Sequence, residues 1–391
     1  MDLEKLNLHV RNLVTLSETD SPLISCYADL EAGLASYRDA LDARIKEIRR
    51  ALHSDQRGDF DQALGRVEAF LASEIDPEAN GVALFSRGGG SPFFLALQFR
   101  LTLPNLMLVD SVPHIYELVV LKDTYHRYIV LISTETHARI VEVSVGNVTK
   151  ELWTKQPELR KRVGREWTSE HYQNHRRDRT ERFIKEKIEI LDRLVAKEEH
   201  THLILAGNPR TVARVRARLP KRLQDKLIDI VPVPGNALTA DVVTATLSAF
   251  AEHEQMESME TAGLLLDELR TAGLAVSGTE ATLEALARTQ VDVLVLSESY
   301  AAPAGWKCRS CETVGVDTAP VGCPQCGEQT VGEINLMEEM VRLAERSGCT
   351  VEIVRNTDVL FDIGGVGCLL RYLLPEQRII RARAFKYEGA G

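Results

Sequence analysis

Between residues 201 and 256 the chain alternates short apolar runs with helical patterns: THLILAGN, PRTVARVRARLPKRLQDKL, IDIVPVPG and TADVVTATLSAFAEHEQM. A strand covered by helices on both faces reads as a near-continuous apolar run, and parallel strands need helical crossovers. This order therefore predicts a layered α/β domain. The preceding RYIVLISTETHARIVEVSVG alternates as a β-hairpin and extends that middle domain to about residues 121–256. Similar logic returns in METAGLLLDELRTAG, TEATLEALART, VDVLVLSE, INLMEEMVRLAERSG and CTVEIVR, which predict a C-terminal α/β domain over residues 257–391. Ahead of both, residues 1–120 read as an amphipathic helix, a strand in SPLISCYADL, two long helices and strands around RGGGSP, a third α/β domain. No strand, Gly loop and helix succeed one another around the three glycines, so they predict a hairpin turn and not a phosphate cradle. The fold class expected is α/β in three layered domains, a division that 391 residues allow because one core of ordinary size would not hold them.

The sharpest local pattern is WKCRSCETVGVDTAPVGCPQCGE, with Cys308 and Cys311 in one CxxC turn, Cys323 and Cys326 in a second, and eleven residues between. Each such turn aims two thiolates at one point, and two turns complete a tetrahedral S₄ shell suited to Zn²⁺. A closed shell leaves no coordination position for substrate, so the expectation is a structural zinc ribbon inserted at about residues 305–330. Redox or iron–sulfur use is the alternative. The remaining three cysteines, Cys26, Cys349 and Cys368, stand singly in apolar contexts that predict element interiors rather than disulfides.

Charge is distributed unevenly. Residues 151–250 hold 20 Lys and Arg against 14 Asp and Glu, while the remainder holds 27 against 43. A basic middle in a chain of net charge −10 points to a polyanion or an acidic partner there. The concentration peaks in RKRVGREWTSEHYQNHRRDR, where Arg160, Lys161, Arg162, Arg165, Arg176, Arg177 and Arg179 surround Trp167, His171 and Tyr172. Cations that pair with phosphates beside planes that stack on bases are the chemistry of RNA contact. The simpler alternative, a solvated helix with i,i+4 pairs, suits the following RDRTERFIKEKIEIL, whose buried stripe would be Phe183, Ile184, Ile188 and Leu191. A metal-hydrolase reading of His171 and His175 also exists, but the order is Glu-His-x-x-x-His, and Arg176 and Arg177 would repel a dication. Arg210, Arg214, Arg218 and Arg222 recur every fourth residue, either as plain surface or as a second phosphate contact.

Acidic residues occupy the place of a signal peptide's basic flank, and no run approaches the length of a membrane span, which predicts a cytoplasmic protein with no membrane partner.

Taken in order, the basic stretch, THLILAGNP, LIDIVPV, GLAVSGTEATLEALARTQVDVLVLSES and the closing LAERSGCTVEIVRNTDVLFDIGGVGCLLRY resemble the archaeo-eukaryotic class-one release factor and Pelota superfamily, specifically its bacterial branch. The resemblance covers about residues 125–373; the N-terminal region lies outside it. Release factors carry Gly-Gly-Gln before the long helix, and its glutamine helps position water for peptidyl-tRNA hydrolysis. No Gly-Gly-Gln occurs in this chain; Gly164 stands alone in that region, and Gln173 lies between Tyr172 and Asn174. The resemblance thus implies a Pelota-like or Balon-like factor of ribosome hibernation or stalled-ribosome rescue, binding rRNA in the A site without catalytic residues. It further implies a translational GTPase of the elongation factor Tu type as partner. Peptidyl-tRNA hydrolysis through Gln173, a metal-dependent hydrolase, and a non-ribosomal RNA-binding protein are the alternatives.

Overall fold

A computed structural model describes residues 1–31, 34–155, 169–197, 201–355 and 357–373; of residues 34–40, 154–155, 169–177 and 357 it describes the backbone alone. The chain divides into two compact units. One comprises residues 1–3 and 125–253, and the other joins residues 4–124 to the chain from 254 onward.

The N-terminal segment runs α1 (Leu3–Val14), β1 (Leu23–Asp29), α2 (Leu34–Ala51), α3 (Gln56–Ser73), β2 (Gly81–Arg87), β3 (Phe93–Phe99), β4 (Leu106–Asp110) and α4 (Tyr116–Thr124). Its antiparallel sheet has the order β3-β2-β1-β4. Ile24, Cys26 and Ala28 of β1 and Val82 and Leu84 of β2 alternate onto one face, where Leu41, Ile45 and Ile48 of α2 and Phe60, Val67 and Phe70 of α3 close over them. Period-two strands against period-3.6 helices form this core, and each fully buried large side chain contributes about 1.5–3 kcal/mol. The glycine run turns β2 into β3, with Arg87 opposite Phe93. Gly89 sits at φ +73°, and a Cβ there would come within 2.2 Å of the Asp59 carboxylate, so the turn requires glycine. β4 and α4 were not expected from the sequence.

The unit around residues 125–253 contains β5 (Tyr128–Ser133), β6 (His137–Ser144), β7 (Asn147–Lys155), α5 (Ser169–Lys197), β8 (His202–Gly207), α6 (Pro209–Arg216), α7 (Lys221–Gln224), β9 (Leu227–Pro232) and the start of α8 (Thr239–Arg270). Its sheet order is β7-β6-β5-β8-β9; β5, β8 and β9 run parallel, and β6 and β7 pair antiparallel. Both faces are covered. Ile129, Leu131, Leu203 and Leu205 meet α5 and α6, while Tyr128, Val130, Ile132, Ile204 and Ala206 meet Val242, Val243 and Phe250 of α8. Phe183, Ile184, Ile188 and Leu191 form the predicted buried stripe of α5.

Two readings change. The pattern over 209–227 predicted one helix, but Pro220, lacking an N–H and restricting Leu219, separates α6 from α7. Conversely, α8 runs unbroken where two helices were expected on either side of residue 256, because EQMESMET contains nothing that ends a helix.

Beyond residue 253 come the rest of α8, then β10 (Ala275–Ser277), α9 (Thr279–Ala287), β11 (Val291–Ser297), β12 (Ala304–Cys308), β13 (Val314–Val316), β14 (Val331–Asn335), α10 (Leu336–Ser347), β15 (Thr350–Val354), a 3₁₀ turn (Thr357–Ile363) and β16 (Val366–Leu370). One mixed sheet has the order β10-β16-β11-β15 and a small antiparallel one the order β13-β12-β14. Asn335 caps α10 by accepting from the N–H groups of Met337 and Glu338, and Gly348 at φ +66° ends it. The molecule is thus mixed α/β with several sheets. Cys26, Cys349 and Cys368 are all buried, as their apolar surroundings predicted.

Candidate metal knuckles, basic face and buried charges

The two CxxC turns are built alike. In the first, the N–H of Glu312 donates to the Cys308 carbonyl at 2.9 Å; in the second, the N–H of Gly327 donates to the Cys323 carbonyl at 2.8 Å. Both donors sit at positive φ, +57° and +75°, the left-handed step that folds the chain back over its cysteine pair. Strand β12 delivers Cys308 to this point, and Trp306 on the same strand lies over Gly315 of β13, where any Cβ would strike the indole at 2.4 Å. Trp306, Cys308 and Cys323 form a small core, while Cys311 and Cys326 face solvent.

All four sulphur atoms lie within 4.8 Å of one another, with Cys308 to Cys326 at 3.7 Å and Cys311 to Cys323 at 3.5 Å. A tetrahedral ion with metal–sulphur bonds of about 2.3 Å requires sulphurs about 3.8 Å apart. The donor set and its spacing therefore fit a thiophilic tetrahedral metal ion. The Thr313 hydroxyl, 3.0 Å from the Cys311 sulphur, and the Thr313 backbone lower the pKa of that thiol and so favour its thiolate.

Of the predicted RNA-contacting residues, Arg160, Lys161, Arg162, Arg165 and Trp167 lie outside the described residues. His171, Tyr172, Arg176 and Arg177 fall on the first turns of α5, of which the backbone alone is described; Arg179 follows them, half-buried. Gln173 and His175 belong to the same backbone-only turns. The arginines at 210–222 are largely engaged. Arg214 and Arg218 pair with Glu181 at 3.2 and 2.5 Å, and Arg222 pairs with Asp192. Such half-exposed pairs contribute little to stability, but they quench the charge of this stripe and favour its reading as plain surface.

Beneath that surface lies a cation that periodicity did not single out. Lys187 is 1% exposed; its ammonium donates to Ser133 Oγ at 2.7 Å and the Thr134 carbonyl at 3.4 Å, and stands 4.4 Å from the Phe183 ring centroid. Among the described residues no carboxylate pairs with it. Burial, and secondarily the Arg214 charge, lower its pKa to about 8.

The other unit buries charge differently. Glu338 of α10 accepts from the N–H groups of Ile115, at 2.9 Å, and Tyr116, at 3.3 Å, at the start of α4. His114 lies between carboxylates, with Nδ1 3.4 Å from Glu338 and Nε2 3.4 Å from Asp110. Burial alone would lower the His114 pKa, but the two carboxylates facing its ring, Asp110 and Glu338, outweigh it and raise the value to about 9. Glu117 beside them is pushed up to about 7, first by burial and then by the charges of Glu338 and Glu298. Glu339 is clamped by Lys307 at 2.8 Å and Arg342 at 3.3 Å, and Arg342 reaches the Val14 carbonyl at 3.3 Å. Glu338 and Arg342 of α10, charged residues that an amphipathic pattern assigns to solvent, instead join the C-terminal segment to the N-terminal one, and Glu339 holds Arg342 and Lys307 in place.

Comparison with known proteins places a family match largely on the middle unit. Residues 113–252 match the profile of bacterial archaeo-eukaryotic release factor family 10. Peptide chain release factor subunit 1 of Thermococcus onnurineus is 27% identical over 179 residues, 39% of this chain and 42% of that protein. The Pyrococcus abyssi factor of the same name is 26% identical over 233 residues, 52% and 56% of the two chains. This chain thus spans about half the length of the curated relatives it matches. Among solved structures, Archaeoglobus fulgidus Pelota is 15% identical, with 77% of this chain and 82% of that chain covered and a TM-score of 0.36. An archaeal translation termination factor is 18% identical, with 95% and 99% covered and a TM-score of 0.27. Over residues 113–252, 140 of its 391 residues, the chain thus resembles bacterial archaeo-eukaryotic release factor family 10.

Proposed function

We propose that the protein is a ribosome-binding translation factor that occupies the A site during hibernation or stalled-ribosome rescue and does not hydrolyse peptidyl-tRNA. One observation carries the reading: the release-factor family profile spans residues 113–252, the segment where Gly-Gly-Gln would stand, and no Gly-Gly-Gln occurs in the chain. Without paired glycines the backbone around Gln173 lacks the freedom to approach an ester closely. The excess of six positive charges over residues 151–250 supports an rRNA-facing role for this part of the molecule.

Under this proposal the residues from Arg160 to Arg179 named above contact rRNA, and a GTPase of the elongation factor Tu type delivers or accompanies the factor in the cytoplasm. Residues 1–120, 121–256 and 257–391 act as three functional domains. The four cysteine thiolates hold a structural Zn²⁺, whose closed shell contributes to folding and takes no part in chemistry. The reading is tested by adding purified protein to ribosomal complexes carrying a labelled peptide. Sedimentation with the ribosome and no release of peptide are expected. Release that is abolished by Gln173→Ala would replace the proposal with a hydrolase, and crosslinking chiefly to messenger or small RNA would replace it with a non-ribosomal RNA-binding role.

A further inference from the structure

At one end of the middle unit's sheet, a cleft of about 430 Å³ opens between Thr134 and His137 of the β5–β6 turn, Trp153 of β7 and the loop from Gly235 to Thr239 that leads into α8. Trp153 is 60% exposed, an unusual position for the costliest side chain to leave in water. It is nevertheless held in place. Arg139, its cross-strand partner, lies against the ring with Cζ 4.9 Å from the centroid. That guanidinium is itself fixed, because it donates to the Ala237 carbonyl at 2.6 Å and to Thr239 Oγ1 at 3.2 Å and is only 7% exposed. The nearest acid, Glu151, is occupied by Arg139 at 3.9 Å and by the Thr239 hydroxyl at 3.2 Å.

We propose that this cleft accepts one unpaired base of single-stranded RNA, stacked on Trp153. Three features select this occupant. An indole backed by a cation offers an exposed π-face to any base, and the cation strengthens stacking on it. Asn236 at the rim carries an exposed amide, with donor and acceptor both suited to a base edge. Finally, Trp153 and the loop from Gly235 to Thr239 belong to the stretch 151–250 whose excess of positive charge favours a phosphate backbone. The platform is assembled before ligand arrives, since Arg139 is locked by loop backbone, so little ordering opposes binding. The target, an unpaired rRNA nucleotide, rests on the ribosome-binding reading; the stacking chemistry does not.

The test uses the full chain and two fluorescently labelled probes, ten-nucleotide oligouridylate and oligoadenylate, with ribosome sedimentation measured alongside. Trp153→Ala should weaken affinity for the oligonucleotides by about 5- to 150-fold, the range expected for loss of one stacked base. Its salt dependence should match wild type, because a stacked base releases no counterions. Trp153→Phe should restore most of the affinity, and both variants should melt with wild type, as the indole removes little core. Absence of oligonucleotide binding by wild type, or equal affinity in Trp153→Ala, overturns the proposal. Wild-type chain that fails to sediment with ribosomes while Trp153→Ala still weakens the oligonucleotide would break the proposed function and keep the cleft. Sedimentation with ribosomes together with an unaffected oligonucleotide would do the reverse.

Discussion

Lys187 in the middle unit and Glu338 in the other are both buried charges, and the two units treat them in opposite ways. Lys187 meets a hydroxyl, a carbonyl and the face of the Phe183 ring, and the charge of Arg214 adds to the cost of its burial. Glu338 caps a helix with two backbone N–H groups and faces a histidine. A carboxylate at a helix N-terminus is stabilised by the unsatisfied N–H groups and the macrodipole, whereas an ammonium with no carboxylate beside it among the described residues keeps most of its desolvation penalty. The comparison teaches what each unit is organised to do. The flanking segments use buried carboxylates to hold each other, whereas the middle unit buries an ammonium against neutral polar groups.

The largest expected effect breaks the comparison at the metal knuckles. Cys308→Ser removes one of four thiolates, and structural zinc sites contribute on the order of 10 kcal/mol to folding in isolated fingers. Calorimetry should show the transition of the flanking unit falling sharply while that of the middle unit stays, and metal analysis should find zinc in the wild type alone. Next, Glu338→Ala should cost the flanking unit about 3–5 kcal/mol, because it strips the cap of α4 and leaves His114 with one carboxylate. Glu338→Gln, which keeps an acceptor, should cost less; urea unfolding followed by a probe in that unit measures both.

pH sharpens the contrast. His114 has a folded pKa near 9, above its unfolded value, so its stabilisation is complete below about pH 6.5 and lost as pH rises through 9. Glu117, raised to about 7, likewise stabilises at low pH and loses its contribution as pH climbs from the usual carboxylate range through 7. Together they predict a flanking unit that weakens between about pH 4.5 and 9, with His114 contributing on the order of 3 kcal/mol. Lys187 has the opposite sign. Its folded pKa near 8 lies below the unfolded value, so its penalty is full below pH 8 and is relieved as pH approaches the ordinary lysine range. The middle unit should therefore gain stability above pH 8, while the flanking unit loses it. Lys187→Met should stabilise the middle unit by about 1–2 kcal/mol at pH 7, after the lost hydrogen bond to Ser133 is deducted, and the gain should vanish near pH 10. Thermal unfolding across pH reads both slopes.

Much of this was legible in the sequence. The apolar runs of β5, β8 and β11, the stripe of α5, the glycine turn and the cysteine knuckles all follow from patterns within a few residues, where backbone geometry ties spacing to position. β7 escaped because it is an edge strand whose polar residues, Thr149, Lys150 and Glu151, leave little alternation to read. Trp153 escaped with it, although its exposure is the most informative feature of that strand. Glu338 and His114 had no local signal at all: 224 residues separate them, and an amphipathic helix assigns Glu338 to water until the N-terminal segment packs against it. The basic stretch from Arg160 to Arg179 was legible as charge.

Ribosome binding as a function of salt tests the central claim most directly. If the basic stretch from Arg160 to Arg179 pairs with rRNA phosphates, wild-type protein sediments with ribosomes at low salt, and the logarithm of its affinity falls linearly with the logarithm of salt concentration. Replacing Arg176 and Arg177 with Ala should weaken binding and flatten that slope by about two phosphate contacts. Absence of sedimentation at low salt, or a slope unchanged by the double substitution, would contradict the account.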